Sequence, residues 1–165
     1  MQRAIAQELE GIPEFRKYIR ATAYTEGWGL YSEYLPKELG FYEDPYSDFG
    51  RLAMELWRAA RLVVDTGLHD KKWTREEATQ YLIDNTPNPQ SDCAKAIDRY
   101  IVMPGQATAY KIGMIKILEL RERARAALGD RFTLGEYHDI VLRDGPVPLA
   151  ILEENVDAWI AAKSG

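Results

Sequence analysis

A chain of 165 residues, 46% apolar and 28% charged, can bury one sizeable core and has the composition of an ordinary globular domain. Its formal charge of −5, without any Lys/Arg-rich tract, argues against a nucleic-acid surface or an anionic membrane as partner. A single cysteine, Cys93, excludes an internal disulfide and a cysteine-based zinc site, and neither an apolar run of ~18 residues nor a signal-peptide layout is present, so one soluble domain over 1–165, cytoplasmic by default, is expected.

Residues Gln2 to Glu10 read as a helix with Ile5, Ala6 and Leu9 as its apolar stripe. Met1 has no capping residue before it, which suggests a helix cut in the middle and a chain that is the C-terminal portion of a larger protein. Gly11 and Pro13 punctuate the helix, and Pro13 opens an amphipathic segment through Tyr18 and Ala23 that is expected to run into the next one.

That next stretch, Tyr24-Thr25-Glu26-Gly27-Trp28-Gly29-Leu30-Tyr31-Ser32-Glu33, sets two carboxylates seven residues apart, on nearly the same face of a helix. Tyr24, Trp28, Tyr31, Tyr34 and Leu35 surround them. A carboxylate partly buried there needs a cation, metal or donor, which makes Glu26 a candidate ligand or catalytic group. The alternative is that both glutamates lie on the solvated face of an amphipathic helix. Gly27 and Gly29 suggest close approach of another backbone or a bound group. Pro36 and Gly40 are expected to end the helix.

Asp44-Pro45 caps a helix predicted from Pro45 to about Asp65, with Phe49, Leu52, Ala53, Leu56, Trp57, Ala60 and Val64 as its buried stripe. Arg58, Arg61 and Asp65, spaced by three and four residues, form an expected ionic cluster on one face, with Gly67 closing the helix and His69 in the loop beyond. Surface ion pairing is the simpler account of that cluster. Thr74-Arg75-Glu76-Glu77 is a capping box for a helix to about Asn85. Ser91 then caps a helix to about Val102, and Pro104 is expected to start the longest helix, running to Leu128, whose early turns hold Gln106, Tyr110 and Lys111 between Gly105 and Gly113. Glycines flanking a tyrosine suggest space opposite the phenol; a packed, hydrogen-bonded tyrosine is the alternative. Thr133-Leu134-Gly135-Glu136 is a second capping box, for a helix through His138 to Leu142 stopped by Gly145, and the final helix spans Leu149 to Ala162. His138 reads as a structural residue. No segment alternates with period two, so the fold class is all-α.

There is no HExxH, glycine-rich phosphate loop, GxSxG or EF-hand loop, and His69 and His138 are too far apart to form a local zinc pair. Several strings nevertheless carry a resemblance: Ala6-Gln7-Glu8-Leu9, Tyr24-Thr25-Glu26-Gly27-Trp28 with Leu30-Tyr31-Ser32-Glu33, Arg58 through His69, Arg99-Tyr100 with Pro104-Gly105-Gln106-Ala107, Tyr110-Lys111-Ile112-Gly113, and Gly145 through Leu149. In this order the chain resembles the C-terminal portion of the bacterial domain-of-unknown-function family 885, whose members resemble helical zinc peptidases of the thermostable-carboxypeptidase type.

That resemblance implies the C-terminal half of a larger helical fold, preceded in full-length members by a segment ending Pro-Gly-His-His. By analogy Glu26 is a zinc ligand beside an upstream His pair that this chain lacks, so no metal is expected to bind tightly to the chain alone. Tyr110 becomes a candidate donor to an oxyanion and His69 a second catalytic candidate, while Arg58, Arg61, Gln106 and Lys111 become candidates for binding a peptide-like substrate. The implied partners are the N-terminal half, in cis or trans, and a second copy of the chain held through exposed apolar helix faces. A non-catalytic helical scaffold or assembly module is the competing reading.

Overall fold

A computed structural model describes residues 2–165, and among them every regular element is helical. Eight α-helices are seen: α1 (Gln2–Glu8), α2 (Thr22–Glu38), α3 (Pro45–His69), α4 (Arg75–Asn85), α5 (Gln90–Val102), α6 (Ala109–Leu128), α7 (Leu134–Leu142) and α8 (Leu149–Ser164), with short 3-10 turns at Glu14–Lys17 and Gly129–Arg131. Met1, read above as an uncapped helix start, lies outside the described residues. The contacts gather into two compact units, one of residues 1–28 and 113–165, the other of residues 29–112.

In the first unit, Tyr24, Met114, Ile117, Leu120, Tyr137, Leu152 and Val156 are buried. Both buried phenols reach backbone carbonyls, Tyr24 Oη donating to Val141 O at 2.7 Å and Tyr137 Oη to Ile117 O at 2.6 Å, as buried hydroxyls must to offset desolvation. Gly27 of α2 and Gly113 of α6 meet here: a Cβ on Gly113 would overlap the Ala23 carbonyl oxygen, and one on Gly27 would fall 2.8 Å from Met114 N. The glycines therefore serve backbone approach at Gly27, whereas Gly29 has nothing within 4 Å of a would-be Cβ. Arg123 of α6 binds Glu153 and Asp157 of α8 at 2.6 and 3.0 Å and its own Glu119 at 2.8 Å.

The second unit packs α3, α4 and α5 around Trp57, Val64, Ala78, Leu82, Cys93, Ile97 and Tyr100. The Thr74 box forms in full, Thr74 Oγ1 accepting from Glu77 N and the Glu77 carboxylate from Thr74 N.

Several boundaries differ from the sequence expectation, each for a physical reason. The segment after Pro13 is a 3-10 turn and breaks before Thr22. Pro36 lies inside α2: the helix ends two residues later in a Schellman arrangement, with Phe41 N on Pro36 O, Gly40 N on Lys37 O and Gly40 at φ 77°. The α3 helix runs on to His69 because Gly67 sits inside it, its missing side chain leaving room for the Trp73 indole, whose Cε3 would lie 2.5 Å from a Cβ. The first half of the α3 stripe is open, with Phe49, Leu52 and Leu56 at 62, 50 and 47% exposure. Ser91 is inside α5, which Pro89 precedes without a side-chain cap. Finally, α6 starts at Ala109, leaving 103–108 as turns and α3 as the longest helix. In the Thr133 box, Glu136 turns its carboxylate to the Thr133 hydroxyl and to Lys163.

Candidate functional site

The second unit assembles most of the residues singled out in the sequence. One helical turn apart on α3, Arg58 and Arg61 project toward the first turn of α6, and their guanidinium carbons lie 4.6 and 5.2 Å from the Tyr110 ring centroid. Arg61 is also 5.5 Å from the Tyr100 ring and 5.7 Å from the Trp57 ring, so three aromatic faces wall the pair. These are favourable cation–π separations. Both Nε atoms are buried without a hydrogen-bond partner, and neither arginine forms an ion pair among the described residues. Burial pushes the Arg61 guanidinium down, and the neighbouring charge of Arg58 adds to that. The Tyr100 hydroxyl, buried and without an acceptor in hydrogen-bonding geometry, is pushed up by desolvation, with Arg61 opposing.

The expected ionic cluster is corrected at Asp65. Its buried carboxylate faces the Gly105 N–H, 3.0 and 3.2 Å from the two oxygens, and does not pair with either arginine. Gly105 adopts φ 77°, a left-handed conformation suited to glycine, and the turn it makes carries the half-buried Gln106. That tie explains why Pro104 does not open α6: the turn is pinned to α3 before the helix begins.

His69, exposed at the end of α3, sets Nε2 3.0 Å from Tyr100 O. A carbonyl only accepts, so Nε2 carries the proton and Nδ1 is the nitrogen left able to accept. Lys111 is held by Glu55 at 2.6 Å, and Glu55 is shared with Arg51 at 3.0 Å, so its charge has a partner within the unit.

Glu26 belongs to the first unit. It is half-buried on α2 and has no hydrogen bond or ion pair among the described residues. Among those residues no three His, Cys, Asp or Glu side chains gather into a metal-binding group. A lone carboxylate fits one position of a zinc shell and cannot complete a tetrahedral site by itself.

Residues 1–156 match the family model described as "Bacterial protein of unknown function (DUF885)". The chain belongs to the DUF885 family. A similar solved structure is that of a "putative lipoprotein" from Colwellia psychrerythraea, 53% identical with a TM-score of 0.96; the match covers 98% of this chain and 28% of that one. This DUF885 chain thus spans little more than a quarter of that relative's length. No curated protein matches it.

Sequence reasoning about the DUF885 chain missed Tyr100 and Trp57 as walls of the arginine pair. A cue exists in hindsight: Trp57 immediately precedes Arg58 and lies four residues before Arg61 on one helix. Tyr100 comes from a different helix, and no local spacing reveals it.

Proposed function

We propose that this chain is the substrate-pocket portion of a zinc-dependent, peptidase-like hydrolase, and that it is inactive on its own. The observation that carries the reading is the pair of aromatic-walled guanidiniums with no carboxylate partner among the described residues, an arrangement that orients a planar oxyanion through fork-like hydrogen bonds. Glu26 of the first unit, half-buried and without a partner among the described residues, is the zinc ligand this chain contributes, the others coming from a segment outside the described residues. A zinc held by Glu26 and those further ligands would supply an activated water, the nucleophile that peptide hydrolysis needs. Within the second unit, Arg58 and Arg61 hold a substrate carboxylate, Tyr110 offers its hydroxyl as a donor, Gln106 lies on the turn tied to Asp65, and His69 offers Nδ1 as an acceptor. Lys111 takes part only by exchanging Glu55 for substrate. The far greater length of the Colwellia protein, of which the match covers 28%, supports a parent larger than this chain.

Among the described residues no helix is long and apolar enough to cross a membrane. The Colwellia protein's description as a lipoprotein makes the cell envelope the alternative to the cytoplasm, and fractionation of the producing cell distinguishes them.

The deciding experiment measures zinc by equilibrium dialysis for this chain alone and mixed with a second chain carrying the His-containing upstream segment. Stoichiometric zinc only in the mixture, weakened by Glu26→Gln, is expected. If neither sample takes up zinc, the hydrolase reading fails. The scaffold reading then stands; the exposed stripe Phe49, Leu52 and Leu56 offers a face for self-association under either reading.

A further inference from the structure

The local charge of the second unit points to the kind of substrate its arginines take. Of the cations on α3 and the start of α6, Arg51 has Asp48 and Glu55, and Lys111 has Glu55. Asp65, the acid nearest in sequence to Arg61, is engaged by the Gly105 N–H. Arg58 and Arg61 are left as two like charges against one tyrosine ring, with buried Nε atoms that have no acceptor among the described residues. Aromatic faces stabilise each cation but neutralise neither. A single carboxylate leaves one positive charge uncompensated in a partly desolvated place, where charge is costly. Two negative charges on one ligand balance the pair.

We propose that Arg58 and Arg61 select a substrate whose free carboxylate stands beside a second acidic group, that is, a peptide ending in Asp or Glu. The inference rests on the hydrolase reading for the word substrate, but the site itself lies within residues 29–112 and needs no metal. In this site each guanidinium takes one carboxylate, and Tyr110 forms a shared wall between them. Phosphate dianion presents the same charge on one compact group, so it is the competing source of the same chemistry.

The test is calorimetric titration of the whole chain in EDTA at low salt with Ala-Glu, Ala-Gln and inorganic phosphate. Ala-Glu is expected to bind about tenfold more tightly than Ala-Gln, equivalent to about 1.4 kcal/mol. That preference should fall in Arg58→Gln and in Arg61→Gln, and recover in part in Arg61→Lys, with circular dichroism confirming folded variants. Equal binding of Ala-Glu and Ala-Gln, or no binding of either, overturns the proposal, and these comparisons on the unaltered chain need no variant to fold. Phosphate binding as tight as Ala-Glu overturns the peptide assignment in favour of a phosphorylated ligand. Because metal is absent throughout, a failed zinc experiment with retained Glu-over-Gln preference refutes the hydrolase reading and leaves the anion site intact.

Discussion

Replacing Asp65 by alanine leaves the Gly105 N–H without its carboxylate and lets the 103–108 turn drift from α3. Loss of a buried acceptor of this kind should cost about 1–3 kcal/mol, and Asp65→Asn, which keeps one accepting oxygen, should cost less. Chemical denaturation of the two variants checks the order; equal losses would show that charge, not acceptance, is what matters at this position. Glu26 behaves oppositely, since it supports nothing within the described residues. Its amide variant should fold within about 0.5 kcal/mol of the parent or more stably, and a clearly lower Tm would count against a ligand role. Glu26 and Glu33 both lie on α2, but Glu26 is half-buried and Glu33 exposed. The arginine spacing was legible because it is a local helical pattern. Asp65 was not, because its partner lies 40 residues on and is a backbone group, invisible to any rule about charged side chains.

Among the elements, those set by neighbouring residues could be read directly: Asp44 accepts from Ser47 N at the start of α3, and the Thr74 box opens α4. Boundaries set by distant groups could not. Gly67 reads as a stop until Trp73 is seen lying across it, and Pro104 reads as a start until the turn behind it is seen tied to Asp65. The two glycines of α2 separate cleanly by experiment. Gly27→Ala forces a methyl into the backbone of α6 and should destabilise by about 3 kcal/mol or more. Gly29→Ala meets open space on an exposed helical position and should stabilise by about 0.5–1 kcal/mol. Thermal melts of the two give Tm shifts of opposite sign; a fall in both would mean that Gly29 also faces something close.

For the molecule as a whole, pH should act from both ends. Hydrogen bonds from Lys37 and Arg51 hold Asp48 below the usual carboxylate range, Arg75 does the same for Asp98, Lys116 for Glu119 and Arg123 for Glu153. Lowered acids stabilise the fold above their unfolded value of about 4 and lose that contribution as pH falls through the lowered folded value. Burial pushes the Cys93 thiol and the Tyr24 and Tyr100 phenols up, so the unfolded chain ionises first and stability declines as pH rises above about 8.5. Tm should therefore form a plateau between about pH 5 and 8 and fall on either side, and a Tm still rising below pH 4 would contradict the acid-side assignment. The meeting of Gly27 and Gly113 bears on how selection would look along this chain. In a saturation library scored for cellular abundance, Gly27 should tolerate almost nothing while its neighbour Glu26 accepts many replacements; under the ligand role proposed for Glu26, a screen for activity of the complete protein would silence both. Adjacent positions with equal intolerance in the second screen would thus carry unrelated histories, one written by two backbones needing the same space and the other by chemistry.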